Sequence, residues 1–511
     1  MHYYNNTFNR SLPKFIWLLT IALVLSLTAA ASHSIPTVQA AGKFSVSGSK
    51  ILDRNGVEFV IKGTNVNGEY WPWTRDTDGD ASLIADVWKF NTVRVNMFPR
   101  LAYNGVAKTQ NITDIVNAFT AKGIVVIIEN HDVTGRYPEA SPVTVGADRY
   151  PSLSEMEAWW KTTAAPFKDN DLVWFNPMNE PGAGSYSMAD SVNKWYSTHD
   201  TLIAAIRSVA PSNIIMVDDH DYGQANGFVG GAASNDSAVV KRGLDLKNKY
   251  PNLVFDVHMY EKWTNGQTRF QSYVDTIRGM GLPIVVGEYG VGSNATKSVV
   301  DAMFAVAVPG KVGRIVWHWS SDDDGFDLTT GTPQGGGHQI SHTNGTKPTN
   351  LSWMGSHIWD DNRGTLSTPL YTWVAPMDNG DFEGGLRNWN NWTGASDDTS
   401  LKYAGWHSLK IAAGASGGAG QWAVLKKGKT YKFTAYGKHN STPGTPTEAG
   451  VKWTVNGVET NHGLSFNSSS WQYKEITFTT PNSEMGEMLI FIWKADAASQ
   501  FNIDNMTLTE L

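Results

Sequence analysis

The sequence predicts an α/β chain, a (β/α)8 TIM barrel followed by an antiparallel β-sandwich of the jelly-roll kind. Three observations carry that prediction. The chain has 511 residues, too many for one ordinary core. Its first two-thirds alternate eight almost continuously apolar, β-rich runs with segments of helical spacing, as a parallel sheet buried on both faces requires. From about Met377 the chain changes to short alternating segments separated by turns, the pattern of a sandwich.

Taken in order, the N-terminus reads as a secretory signal peptide over residues 1–41. Arg10 and Lys14 precede the apolar run FIWLLTIALVLSLTAAA, and VQAAG offers cleavage near Ala40 or Ala41. A secreted, extracellular product is expected, with no membrane partner after removal. The next stretch, FSVSGSKILDRNGVEFVIKGTN, places the turn DRNG between two alternating segments, a hairpin signal. The eight strand runs start at Val60, Asn91, Gly123, Leu172, Asn213, Leu253, Pro283 and Gly313. ITDIVNAFTAKG and VNKWYSTHDTLIAAIRSVAP between them have apolar residues at helical spacing, and LSWMGSHIWDD supplies the last helix. The barrel domain is bounded at 42–362. Residues 363–376, with Pro369 and Pro376, read as a linker, and 377–511 form the sandwich.

Composition narrows the partners. A net charge of −7 disfavours nucleic acid. The absence of cysteine excludes disulfides and thiolate chemistry. Twenty-one tryptophans exceed the needs of two cores, and flat indole faces suit the C–H faces of sugar rings. A monomer is expected.

Nearly every strand run ends in polar residues: Asn65, Arg94, His131, Asn179 with Glu180, Asp218, His258 with Tyr260, Glu288 and Trp317. In a barrel these ends share the face on which active sites are built. Glu180 closes the fourth run and Glu288 the seventh, so two carboxyls meet across the barrel mouth. Breaking a glycosidic bond needs a general acid for the leaving oxygen and a second carboxylate that attacks the anomeric carbon or activates water. Arg94 could hold a carboxylate ionised, and Tyr260 could donate to Glu288. Asn179 could grip the hydroxyl beside the scissile bond, and His131 and His258 other hydroxyls. Trp317, ahead of Trp319, offers an aromatic floor. Tyr70, Trp71 and Trp73, in the loop after the first strand, form a candidate platform for more distant sugars. The acidic loops DTDGD (Asp76 to Asp80) and Asp322 to Asp324 read as solvated.

FNPMNEPG followed by VVGEYG resembles glycoside hydrolase family 5, over about residues 44–362. NTVRVN, ENHDVTG, DVHMYE and VWHWS match its arginine, histidine, His-x-Tyr and tryptophan strands. The resemblance implies a retaining double displacement with Glu180 as acid/base and Glu288 as nucleophile, no catalytic cofactor, and Arg94, His131, Asn179, His258, Tyr260 and Trp317 around them. NHDVTG, HMYE and GTNVNG are most similar to bacterial endo-β-1,4-mannanases, which implies a neutral plant-type β-1,4-mannan or glucomannan as substrate. The loops NGEYWPWTRDTDGDAS, VDDHDYGQ and SSDDDGFDLTTG depart from that pattern and leave an endo-β-1,4-glucanase as the alternative. A transglycosylase and a non-catalytic glycan-binding protein are the others; the second would lack one of the glutamates.

NGDFEGGLRNWNNWTG and the terminal FNIDNMTLTEL resemble carbohydrate-binding modules of families 4, 9 and 22. The resemblance implies a structural calcium between first and last strands, with Asp381, Glu383 and Asp504 as ligands. Trp389, Trp392, Trp406, Trp422, Trp453 and Trp493 are the candidate sugar platforms, while Trp471 is expected to face inward. Tethering such a module to a hydrolase raises its local concentration on an insoluble polymer.

Overall fold

The computed structural model describes residues 42–511 apart from 71–76, 183–185, 293, 320–325, 331–345, 369, 371–375, 456 and 487. The expected signal peptide therefore lies outside the described residues. So do Trp71, Trp73 and the acidic run Asp322 to Asp324. No helix among the described residues is long and apolar enough to cross a membrane.

Eight strands close a parallel barrel in sequence order: β1 (Lys62–Asn67), β2 (Thr92–Met97), β3 (Val125–Asn130), β4 (Val173–Asn176), β5 (Ile215–Asp218), β6 (Leu253–Met259), β7 (Ile284–Tyr289) and β8 (Gly313–Val316). The expected helices form with side-chain caps. Asn111 accepts from Thr113 N at the head of Ile112–Thr120, and Ser187 from Asp190 N at the head of Met188–Arg207. Ser152 and Glu155 close a reciprocal capping box on Leu153–Ala164. One large apolar core lies between barrel and helices, and includes the buried tryptophans 88, 160, 195, 263, 319 and 359.

Inside the barrel, side chains alternate in and out with period two. A lower layer is apolar, with Ile127, Trp174, Met216, Val254, Val285 and Ile315 packed on Phe44 and Ile51 from the N-terminal hairpin. Two residues further along, the same strands turn polar, with Glu129, Asn176, Asp218 and Asp256, all fully buried. The hairpin thus plugs the bottom of the barrel, and the chemistry is confined to the top. Its regular ladder pairs Ser45–Ser47 with Lys50–Leu52 across Gly48. The turn expected at DRNG exists, with Gly56 N donating to Asp53 O at 3.0 Å, but it closes only an isolated Leu52–Glu58 bridge.

The last barrel helix is Trp353–Asn362. The described part of the segment expected as a linker stays bound to the barrel. Arg363 donates to Val87 O at 2.6 Å, and Leu370 N to Asp301 Oδ1 at 2.7 Å. Beyond it, ten strands form two antiparallel five-stranded sheets. The strands are β9 (Asn390–Thr393), β10 (Ala395–Asp398), β11 (Ser408–Ile411), β12 (Gly417–Trp422), β13 (Thr430–His439), β14 (Thr447–Val455), β15 (Val458–Phe466), β16 (Gln472–Thr479), β17 (Met488–Lys494) and β18 (Phe501–Glu510). The sheets run β9-β12-β17-β14-β15 and β10-β11-β18-β13-β16. They enclose a core that includes Leu409, Phe433, Val451, Ile490 and Ile503.

Candidate active site

The site is built around one guanidinium. Arg94, from the middle of β2, is fully buried, and each of its N–H groups has an acceptor. Nε donates to Asn176 Oδ1 at 2.9 Å. Nη1 donates to Asn65 Oδ1 at 3.0 Å and to Glu288 Oε1 at 2.8 Å. Nη2 donates to Asn179 Oδ1 at 2.7 Å and to Asp218 Oδ2 at 3.4 Å. A guanidinium so gripped is a fixed positive charge, and it stays protonated because Glu129, Asp218 and Glu288 surround it, despite its burial.

Glu288 lies in β7 and receives a second donor from Tyr260, whose hydroxyl is 3.0 Å from Oε2. The register explains how it points there. Val257 pairs with Val286 and His258 with Glu288, so Gly287 is an extra residue in β7. Such a bulge re-aims the next side chain. Only glycine fits, since a Cβ at Gly287 would lie 1.9 Å from Asp256 Oδ2.

Glu180 was expected at the end of the fourth strand. The regular strand stops instead at Asn176, because Pro177 has no N–H to continue a ladder. Glu180 sits four residues on, with φ at +45°. A non-glycine residue in this region costs on the order of 1–3 kcal/mol and persists only where its surroundings fix it. Two backbone bonds do so. Its N–H donates to Asp218 Oδ2 at 3.0 Å, and its carbonyl accepts from Gly135 N at 2.7 Å. Below, Trp160 Nε1 donates to Pro177 O at 3.0 Å and Trp195 Nε1 to Asp218 O at 2.7 Å.

The two glutamates converge. Oxygens of Glu180 and Glu288 and a ring nitrogen of His258 all lie within 4.8 Å of one another. His258 Nδ1 is 2.9 Å from Glu180 Oε1 and 3.5 Å from Glu288 Oε2. Burial raises the pKa of both carboxyls, and their charges are not equally balanced. For Glu180 the neighbouring charges of Glu288 and Asp218 add to burial and push it well above the carboxylate range. For Glu288 the guanidinium of Arg94 opposes burial. The pair therefore holds its proton on Glu180 and its charge on Glu288. His258 is kept neutral by burial and by Arg94. The Glu180–His258–Glu288 group has the donor atoms for a cation, but the Arg94 guanidinium already occupies Glu288 Oε1, so a metal there would meet a fixed like charge.

The other expected residues gather at the same rim. His131 bonds Glu129 Oε2 through Nδ1 at 3.1 Å, and Asn179 Nδ2 donates to Thr134 Oγ1 at 2.9 Å, with His131 Nε2 at 3.3 Å. Trp317 follows β8 and stacks on His131, ring centroids 5.7 Å apart, while Trp319 is buried against Trp88 in the core. Tyr70 was expected as part of a sugar platform. It is instead buried beside Glu69, its hydroxyl pushed up to about 12 by burial. Glu129, Asn176 and Asp256 were missed by reading strand ends alone. Their signal was present in the strands themselves, as single polar residues at inward-facing positions of otherwise apolar runs.

In the sandwich, Trp389 and Trp453 belong to the core, whereas Trp392 and Trp493 are each 42% exposed, Trp406 is 74% exposed and Trp422 is half-buried. Trp392 lies flat over β12. A Cβ on Gly420 would come 2.2 Å from its ring, and one on Gly418 would touch both Trp392 and Trp493. Glycines in β12 therefore create the recess for an exposed indole pair. Trp471 does not face inward as expected; it packs edge-on against Tyr403, outside the core. The three residues expected to hold calcium do not gather as a ligand cluster among the described residues. Glu383 Oε1 accepts from Trp406 N and His407 N, and Asp504 Oδ2 from Tyr403 N and Ala404 N. Asp381 Oδ1 accepts from Glu383 N. Here the carboxylates tie down the 403–407 loop.

Comparison with known proteins places both halves. The family described as cellulase (glycosyl hydrolase family 5) matches residues 52–323, and a carbohydrate binding domain family matches residues 376–498. A mannan endo-1,4-beta-mannosidase of Cellvibrio japonicus is 28% identical over 340 residues, covering 64% of this chain and 72% of the relative. One from Streptomyces lividans is 27% identical over 331 residues, covering 64% and 76%. Endoglucanase A of Butyrivibrio fibrisolvens is 25% identical over 299 residues, covering 56% and 62%.

Proposed function

The chain belongs to glycosyl hydrolase family 5, and from that premise we propose that it is a secreted endo-β-1,4-mannanase acting on mannan or glucomannan by retaining double displacement. The observation that carries the mechanism is the close approach of the two carboxyls, an oxygen of Glu180 lying within 4.8 Å of an oxygen of Glu288. Retaining glycosidases hold their two carboxyls about 5–5.5 Å apart, whereas inverting enzymes need about 6.5–9.5 Å to admit a water.

In the first step Glu288 attacks the anomeric carbon while Glu180 gives its proton to the departing glycosidic oxygen. Loss of that proton leaves Glu180 as a carboxylate and Glu288 as a neutral ester. In the second step Glu180 removes a proton from water, the water oxygen attacks the anomeric carbon, and Glu288 leaves as a carboxylate. Arg94 and Tyr260 supply the two donors that keep Glu288 ionised and oriented before attack. Trp317, stacked on His131, gives the sugar at the cleavage point a flat apolar face. Trp392 and Trp493 of the sandwich, both exposed, give that polymer a second hold.

The mannan assignment rests on the two mannosidase relatives, and endo-β-1,4-glucanase is the second reading because of the endoglucanase relative. Reducing-sugar release from mannan, glucomannan, carboxymethyl cellulose and xylan separates them. Release from mannan and glucomannan is expected; release from carboxymethyl cellulose alone reverses the assignment. NMR of the first-formed anomer tests retention.

A further inference from the structure

Beneath the two glutamates lies a second group of ionisable side chains. Asp256 of β6 and Asp218 of β5 are register partners, and their oxygens and a ring nitrogen of His258 all lie within 4.8 Å of one another. All three residues are fully buried. Among the described residues neither oxygen of Asp256 has a hydrogen-bond donor, and His258 Nε2 has no hydrogen-bond partner; that nitrogen is 3.5 Å from Asp218 Oδ2 and 3.7 Å from Asp256 Oδ1. A buried ionised carboxylate with no donor is among the costliest arrangements a protein can hold.

Charge decides how this is relieved. Glu129, Glu180, Asp218, Asp256 and Glu288 crowd around Arg94. Ion-pair contacts reach the guanidinium from Glu288 at 2.8 Å, Asp218 at 3.4 Å and Glu129 at 3.8 Å. Glu180 and Asp256 have no such contact among the described residues. Asp256 faces Asp218 from β5, His258 on its own strand, Gly287 and Glu288 from β7 and Arg94 from β2; Tyr273 approaches from the helix outside.

We propose that Asp256 is a positioning residue that permanently carries a proton and through it donates a hydrogen bond to Asp218, so that Asp218 remains an anion under Glu180. The role has consequences above it. Asp218 accepts the amide of Glu180 and so holds that residue in its left-handed conformation. Its charge also favours the protonated form of Glu180. Burial and the charge of Asp218 act on Asp256 in the direction the geometry requires. Gly287 makes the room, because any side chain there would occupy the place of Asp256 Oδ2.

The inference rests on the acid role of Glu180 only for its kinetic arm, so the test has two arms on the full-length enzyme. Infrared difference spectra read the C=O stretch of protonated carboxyls whatever the reaction is. Asp256→Asn is expected to remove one such band that survives in Glu180→Gln. An unchanged spectrum in Asp256→Asn overturns the proposal. In pH profiles of kcat/KM, Asp218→Asn removes a negative charge and is expected to move the basic limb down by about one unit or more. Asp256→Asn, neutral like the acid it replaces, is expected to leave both limbs in place. Asp256→Ala removes the donor and is expected to behave like Asp218→Asn. Limbs that fall in Asp256→Asn as in Asp218→Asn mean that Asp256 is ionised, and sink the idea. So does a stoichiometric metal ion in the purified protein that Asp256→Asn abolishes. Asparagine has the shape of aspartate, so the decisive variant folds even where alanine does not.

Discussion

Glu180 and Glu288 present carboxyl oxygens within 4.8 Å of each other, although one lies on the loop beyond β4 and the other within β7. Their surroundings differ in the way a division of labour requires. Glu288 has two donors, Arg94 and Tyr260, whereas Glu180 faces the ring of a neutral histidine. The same buried environment thus favours a carboxylate at one position and a carboxylic acid at the other.

Replacing either glutamate should separate the two roles. Glu288→Ala is expected to abolish turnover on every substrate. Glu180→Ala is expected to lower kcat on polysaccharide by about 10²–10⁴-fold, the usual worth of a general acid. An aryl glycoside with a good leaving group needs no proton in the first step, so it should lose far less of that step in Glu180→Ala. Circular dichroism checks that both variants fold. Equal losses of kcat/KM, which reports the first step, on both substrates in Glu180→Ala would remove its acid role.

The pH profile of kcat/KM is expected to be bell-shaped. Glu288 must be ionised, so activity falls as pH drops through its pKa. Glu180 must be protonated, so activity falls as pH rises through its own, which burial, Glu288 and Asp218 push well above the carboxylate range. Tyr260→Phe removes a donor to the Glu288 carboxylate. Loss of that hydrogen bond raises the pKa of Glu288, so the acid limb should move to higher pH, by about half a unit to one unit. A basic limb that moves while the acid limb stays would reverse the assignment of the two carboxyls.

Gly287→Ala tests the bulge. The added methyl would overlap Asp256 Oδ2, and overpacking of this kind costs about 1–3 kcal/mol. Lower stability in urea denaturation is expected together with a fall in kcat, because the displaced backbone carries Glu288. A variant as stable and active as the parent would show that the slot is soft.

The sandwich should act through its exposed indoles. Trp392→Ala or Trp493→Ala is expected to weaken adsorption to insoluble mannan by about tenfold, roughly 1.4 kcal/mol. Hydrolysis of a soluble oligosaccharide should stay at the parent rate. Trp406→Ala is the control: that residue is exposed too, but it lies on the loop held by Glu383 rather than beside the β12 glycines. Adsorption unchanged in Trp392→Ala and Trp493→Ala would place the binding surface elsewhere.

The sequence by itself determined the strand count, their order and the identity of the residues at the barrel mouth. The reason is local. Apolar runs of strand length alternating with helical spacing allow few closed arrangements, and the face at which their polar ends emerge follows from the parallel topology. Residues such as Arg94 and Glu288 were therefore legible as neighbours of a common site. What those residues do to one another was decided only by tertiary structure. The left-handed turn at Glu180, the extra residue at Gly287 and the buried carboxyl of Asp256 beside Asp218 arise from contacts between strands far apart in the chain. The fate of individual aromatics was equally hidden. Tyr70 and Trp319 went into cores, Trp317 to the rim and Trp392 to a recess made by glycines on another strand. Spacing along a chain reports which face a side chain leaves from, but burial and proton occupancy depend on what the rest of the fold places opposite it.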